Sequence, residues 1–295
     1  MLEWYSGSDN YRKHTLEFGE QNVFTTELLD VELKNVSTVQ DALQLHLDGA
    51  NLPIEVLYSG GLDSESVILH CIRGNIPVVA LTLRLLINNL PINVADLYYA
   101  EKFCNTHNVT HKLIDFHIDK FFNNGDHMPY VGKYQFTRIS SASILWLIDQ
   151  CTSFPVVGGD YTWPQNNIGK SVYSPHRFDY NFFDLYMKDN NISGIGNMLS
   201  HSLDSNMFFI KEHLKQKESY DKSLLFHDLG FVELENRHPV SGWELISNYR
   251  HYVDMTSLQE HVLSLYPKTT NVIIWNNQLG DLIGSGPGKN DDFGY

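Results

Sequence analysis

Cysteine is scarce in this chain, and none of it is paired. Cys71, Cys104 and Cys151 are the only three, none forms a C-x-x-C, and an odd count makes a poor disulfide framework. The expectation is a reducing, cytoplasmic setting in which all three behave as small apolar residues. Positive charge is also short: 21 Lys and Arg face 35 Asp and Glu, a net charge of −14. That balance disfavours a broad, sequence-independent grip on nucleic acid. A small anion would have to be held locally, by backbone N–H groups or a metal. No apolar run reaches the length of a membrane span. Met1-Leu2-Glu3-Trp4-Tyr5 is not the basic-then-apolar opening of a secretory signal. Two common nucleotide signatures are missing as well, since neither G-x-x-x-x-G-K-S/T nor G-x-G-x-x-G occurs. There is no internal repeat.

What is present suits a packed protein. With 295 residues, 42% hydrophobic and 13% aromatic, the chain can bury one large core or two modest ones. Residues 15–18 and 23–33 alternate enough for short strands, with a hairpin through Gly19-Glu20-Gln21-Asn22. They read as a structural edge or an oligomer contact, so a homo-oligomer is compatible with the sequence. Ser37 or Thr38 can cap a helix running to about Asp48. Apolar strand-length runs then fall at 54–58, 77–83, 112–116 and 154–157, and helical patterns at 63–73, 93–107 and 140–151. Strand alternating with helix predicts an α/β fold, a parallel sheet flanked by helices. Residues 121–133 read as loop.

Beyond Asp160 the alternation fades. Residues 161–200 suggest long loops and a few short helices, and helical patterns recur at 208–229, 243–253 and 257–266. The expected organisation is an N-terminal extension over 1–36, an α/β core over 37–160, a mostly helical closing part over 161–283, and a mobile tail over 284–295.

The most informative stretch is Leu57-Tyr58-Ser59-Gly60-Gly61-Leu62-Asp63-Ser64, entered by an apolar run and left by a helical one. Adjacent glycines let backbone N–H groups turn inward onto an oxyanion. Ser59 and Ser64 add hydroxyl donors, and the start of the following helix adds positive partial charge. Asp63 would repel a bare phosphate, so its presence suggests Mg2+ between carboxylate and phosphate oxygens. An ordinary Gly-Gly turn with a helix cap is the plainer reading. The full S-G-G-x-D-S pattern between strand and helix favours a phosphate site over it. A second glycine turn, Gly158-Gly159-Asp160, follows the strand at 154–157.

These residues resemble the PP-loop ATP pyrophosphatases, the adenine nucleotide alpha hydrolase-like superfamily, and most of all the synthetase domain of asparagine and β-lactam synthetases. The loop carries the resemblance, with the helix and Pro53 turn before it and Asp96-Leu97-Tyr98-Tyr99-Ala100-Glu101-Lys102-Phe103 after it. Val156-Val157-Gly158-Gly159-Asp160 resembles the family's G-x-D-E segment. The resemblance implies an ATP-using ligase that adenylates a carboxylate or amide substrate and releases pyrophosphate. Ser59, Gly60, Gly61 and Ser64, with Gly158 and Gly159, would hold pyrophosphate. Asp63 and Asp160 would share Mg2+, and Leu57, Leu81, Thr82 and Leu83 would wall the adenine.

The sequence also departs from that pattern. Tyr161 stands where a glutamate is expected. Arg237 fits a late Arg-x-Lys segment, but its lysine position is Pro239, with His238 or Lys289 as the nearest substitutes. Arg237 and His238 are therefore the candidates for the second half-reaction. Position 2 is Leu rather than Cys, so the expectation is that ammonia, an amine or a separate ammonia-supplying partner brings the nitrogen. Two other readings stay open: the same ATP chemistry on a nucleobase or tRNA, and a nucleotide-binding protein without turnover. His107 and His111 have i, i+4 spacing and His117 follows, but Asn108-Val109-Thr110 breaks the helix between them, which disfavours a metal site. The aromatic residues after Asp160 read first as core.

Overall fold

The computed structural model describes residues 1–18, 22–34, 36, 38–44, 46–47, 50–130, 139–159, 170–172, 179–214, 227, 230 and 269–274. The chain opens with strands β1 (Leu2–Ser6), β2 (Arg12–Glu17) and β3 (Asn22–Leu28). Helix α1 (Val39–Gln44) follows, then β4 (Ile54–Leu57), α2 (Leu62–Arg73), β5 (Val78–Ile87) and the two-residue β6 (Leu90–Pro91). Next come α3 (Val94–His107), β7 (Thr110–His117), α4 (Ile118–Asn123), α5 (Ile139–Gln150) and β8 (Phe154–Val157). The described C-terminal elements are β9 (Lys170–Val172), α6 (Asp179–Asp189), α7 (Leu203–Leu214) and β10 (Thr269–Ile274).

The central sheet has the order β7–β5–β4–β8, all parallel, with β6 antiparallel on the far end of β5. All four residues of β4 and of β8 are buried, as a sheet covered on both faces requires. Alternation along the strands sends side chains to two cores. Val56, Tyr58 and Ala80 pack with α2, α3 and α7 on one face. Leu57, Leu81, Leu85 and Phe116 pack with α4, α5 and α6 on the other. The mixed α/β class expected from the alternation is the observed one.

Local chemistry explains several boundaries. Helix α1 starts at a reciprocal cap: Thr38 Oγ1 accepts from the Asp41 amide at 3.0 Å, and the Asp41 carboxylate accepts from the Thr38 amide at 3.1 Å. Strand β5 runs four residues beyond the expected end at Leu83, because its edge past β4 is covered. Asn93 accepts from the Leu85 amide at 3.0 Å and donates to the Leu83 carbonyl at 2.8 Å, doing the work of a neighbouring strand. Helix α4 runs from residues before into the first three of the stretch read as loop. Its Phe121 and Phe122 are buried, so tertiary packing overrides a weak local pattern. Helix α7 begins at Leu203, five residues before the expected start at 208.

A second sheet, β1–β2–β3–β10–β9, ties both ends of the described chain together. The strands flanking the expected hairpin pair antiparallel, with Glu17 opposite Val23, while residues 19–21 lie outside the described residues. Strand β10 lies parallel to β3 and antiparallel to β9, so residues read as an N-terminal extension share a sheet with residues 170–172 and 269–274. Five of the six β10 residues are β-branched, a strand signal that the expectation of helices passed over. Trp4, His14, Phe24 and Phe182 cluster with ring centroids 5.0–5.6 Å apart and seat this sheet on α6. Among the described residues, no helix is long and apolar enough to cross a membrane.

Candidate phosphate-binding site

The site is placed by topology. Strand β4 lies between β5, which follows it through α2, and β8, which the chain reaches only after β7 on the far side of β5. Parallel sheets bind ligands at the carboxyl ends of strands where the order reverses in this way. Leu57 and Val157, the last residues of β4 and β8, are directly paired, and each runs into a glycine turn.

The two turns touch. A Cβ on Gly158 would lie 2.7 Å from the Ser64 nitrogen, 2.8 Å from its Cα and 2.9 Å from the Asp63 carbonyl carbon. Only a residue without a side chain lets the second turn lie on the first turn of α2. Gly60 is constrained twice: its φ is +78°, and a Cβ there would meet the Asp96 carbonyl of α3 at 2.6 Å. Gly61 stands at the N-cap of α2 and makes no side-chain cap there. The first amides of α2 therefore meet whatever approaches the turn.

The polar side chains divide between outside and inside. Ser59 is exposed and Asp63 is half-buried at the mouth. Ser64 is buried and donates back to the Gly61 carbonyl at 3.2 Å, and Ser66 donates to the Asp63 carbonyl at 2.7 Å. Leu57 and Leu81 belong to the core beneath the sheet, with Leu83 partly buried against them. Thr82 is buried and donates to the Tyr58 carbonyl at 2.6 Å.

Behind the second turn, residues that read as loop run beside β8. The Val157 amide donates to the Ile195 carbonyl at 2.9 Å, and the Leu199 amide to the Gly158 carbonyl at 3.3 Å. A Cβ on Gly159, where φ is +74°, would collide with Asn197. Asp184 of α6 accepts from the Gly196 amide at 2.8 Å and from Arg12 at 3.2 Å, so the N-terminal sheet braces this segment. Nothing local in residues 195–199 announces that role.

The structure thus brings together Leu57, Ser59, Gly60, Gly61, Asp63, Ser64, Gly158 and Gly159. The Asp160, Arg237 and His238 assignments lie outside the described residues. Among the described residues, no three His, Cys, Asp or Glu side chains group as a metal site. Mg2+ needs less: it takes one or two carboxylates and fills the rest of its shell with water and phosphate oxygens. Asp63, half-buried where the two glycine turns meet, is compatible with that role. Of the histidines, His107 packs on Phe103, and His111 bonds Thr82 at 2.8 Å.

Glu55 holds the opposite end of β4. It accepts from the Thr152 and Ser153 amides at 2.6 and 2.8 Å and from Lys112 at 3.2 Å. Burial pushes its carboxyl up, but those donors outweigh it and leave the pKa below the ordinary value of 4.5.

No protein-family model and no curated protein matches the chain. Solved structures similar to it include an NMN synthetase from Francisella tularensis, at 18% identity, covering 40% of this chain and 51% of that one, with a TM-score of 0.30. A tRNA thiolase from Methanococcus maripaludis aligns at 14% identity over 77% and 76% of the two chains, with a TM-score of 0.32. An NH3-dependent NAD synthetase from Campylobacter jejuni aligns at 16% over 85% and 96%, with a TM-score of 0.29. The chain thus spans about half the length of the NMN synthetase. These superpositions are loose, and the functional reading stands on the two glycine turns instead.

Proposed function

We propose that the chain is an ATP-dependent synthetase of the PP-loop kind, which adenylates a small substrate and releases pyrophosphate. The observation that carries this reading is the seating of Gly158 on the Asp63–Ser64 backbone at the reversal point of a parallel sheet. The ends of two neighbouring strands then meet at the start of α2. An S-G-G-x-D-S turn without a P-loop lysine suits a leaving pyrophosphate, held by amides rather than by a side-chain cation.

In the proposed reaction, a substrate carboxylate or amide oxygen attacks the α-phosphorus of ATP. The bond from that phosphorus to the bridging oxygen breaks, and pyrophosphate leaves with both electrons. The amides of 59–64 and the N-terminal end of α2 take up the charge developing on the leaving oxygens. Mg2+, when bound, would neutralise phosphate charge beside Asp63, with Asp160 as the second carboxylate. Ammonia or an amine then displaces AMP, leaving an amide where a carboxylate was adenylated and an amidine where an amide was, with Arg237 and His238 as candidates for steadying that step.

A second reading has its own support in the sequence. Tyr161 and Pro239 replace residues that a complete amide-forming site would carry. A chain lacking them would bind nucleotide without completing the cycle. Pyrophosphate release measured with ATP, Mg2+, ammonia and a panel of amino acids separates the two. Substrate-dependent release supports the synthetase. ATP binding with no release under any condition supports the binding protein. Failure to bind ATP or pyrophosphate at all refutes both.

A further inference from the structure

Tyr58, the residue just before the glycine turn, is held by every polar group it has. Its amide donates to the Leu81 carbonyl at 2.8 Å, extending the sheet one residue past the end of β4. Its carbonyl accepts from Thr82 Oγ1 at 2.6 Å. Its hydroxyl donates to Glu65 Oε2 at 2.9 Å, reaching across the turn to the first turn of α2. Its ring meets Phe103 of α3 edge-on, with centroids 5.6 Å apart. The next residue, Ser59, is exposed.

Thr82 has one hydroxyl hydrogen, and the Tyr58 carbonyl takes it. The 2.8 Å contact between Thr82 Oγ1 and His111 Nε2 must then have the histidine as donor. That fixes the proton on Nε2, in keeping with a pKa lowered chiefly by burial. Tyr58, Thr82 and Glu65 are each only 1% exposed, so water cannot replace a lost partner.

We propose that Tyr58 is a positioning residue for the phosphate turn, with Thr82 and His111 as its buttress and Glu65 as its anchor on α2. The staple joins the residue before the turn to the helix after it. The six intervening residues have both ends fixed, and the peptide after Tyr58 cannot rotate without breaking the bond to Thr82. The role in catalysis rests on the synthetase reading above; the role in shaping the turn does not.

The test uses the full chain and two readouts. The first is amide hydrogen exchange of the peptide spanning 58–64 without nucleotide, which reads local opening. The second is MgATP and magnesium pyrophosphate affinity by calorimetry. Thr82→Val removes the donor and keeps the shape, whereas Thr82→Ser keeps the hydroxyl. Tyr58→Phe removes the hydroxyl that bonds Glu65, keeps the ring, and covers the case in which Thr82→Val does not fold.

The expected result is exchange in 58–64 at least about tenfold faster in Thr82→Val and Tyr58→Phe, with affinity lower by about tenfold or more, as misplaced binding groups produce. Thr82→Ser restores both to within about twofold, on the same principle. Wild-type exchange in 58–64 in the two disrupting variants overturns the proposal, as does faster exchange spread evenly over the central sheet. If wild-type protein binds neither ligand while exchange responds as described, the synthetase reading falls and the positioning role stands.

Discussion

Gly158→Ala tests the contact on which the functional reading depends. Its added methyl would sit 2.7, 2.8 and 2.9 Å from three backbone atoms of Asp63 and Ser64, none of which can swing aside as a side chain would. Carbon contacts relax at about 3.5 Å or beyond, so the two turns must part by roughly 0.8 Å. Overpacking of this kind costs about 1–3 kcal/mol of stability. The functional cost is expected to be larger. A misplacement of about 1 Å in binding groups can lose on the order of a hundredfold in rate. Gly194→Ala supplies the control. A Cβ there meets Pro155 O, Pro155 Cγ and Met187 Sδ at 2.7 Å each, similarly crowded but at the other end of β8. Urea midpoints should fall in both variants, while pyrophosphate affinity should fall at least about tenfold only in Gly158→Ala. Equal affinities in two equally destabilised variants would refute the claim that the turns form one site.

Other outcomes follow from buried charge and buried imidazole. In Glu55→Gln the amide can satisfy only part of the donor set that now converges on a carboxylate. The urea midpoint at pH 7 should therefore fall by the equivalent of about 2–3 kcal/mol. Glu55 has its folded pKa depressed, so its stabilisation is complete above pH 4.5 and is lost as pH falls through the lower folded value. The variant should accordingly show a flatter acid limb in unfolding followed from pH 7 to pH 3. His70 is buried with neither ring nitrogen hydrogen-bonded among the described residues, and burial, then Arg73, lowers its pKa from 6.5 to about 4. The unfolded chain takes up that proton first, so stability drops as pH falls from 6.5 towards 4. His70→Leu should remove that dependence and raise stability at pH 5 by about 1 kcal/mol, read from thermal and urea unfolding. Asp184→Asn should weaken the hold on both Arg12, at 3.2 Å, and the Gly196 amide, at 2.8 Å. Breaking a buried pair of this kind costs about 3–5 kcal/mol, and limited proteolysis within β1–β3 should accelerate.

What the sequence made legible is what is coded locally. The strand over 54–57, the strand over 154–157 and the glycines after each are visible because turn chemistry and apolar runs sit side by side in the chain. The identity of the residues that hold the turn is coded across distance. Tyr58 reads as one more apolar strand residue until Thr82 and His111, 24 and 29 residues away from their respective partners, come to rest beside it. Asn93 reads as the first residue of a helical pattern, yet its amide closes the edge of β5. The parallel pairing of β10 with β3 joins segments more than 200 residues apart, and no periodicity within either segment specifies that partner. The Asp63 role was inferred from charge, and the structure supplies its setting at the mouth of the turn.

That setting leads to a prediction with opposite signs in two conditions. Asp63 is half-buried beside uncapped helix amides, so an anion approaching those amides also approaches a carboxylate. The helix end attracts the anion by about 0.3–1 kcal/mol. A like charge a few ångströms away, at effective dielectric constants between protein surface and water, repels it by on the order of 1–3 kcal/mol. Without divalent cations the repulsion wins, and wild-type protein should bind pyrophosphate poorly. With Mg2+ the same carboxylate becomes an attractive contact. Asp63→Asn should therefore bind pyrophosphate more tightly than wild type in EDTA and more weakly in Mg2+, with the two affinity curves crossing as the metal is titrated. Calorimetry at fixed ionic strength measures both limbs. If the substitution weakens binding equally with and without Mg2+, Asp63 holds the shape of the turn and has no part in holding a metal. If it strengthens binding in both, the carboxylate is only a repulsive charge and the Mg2+ assignment fails.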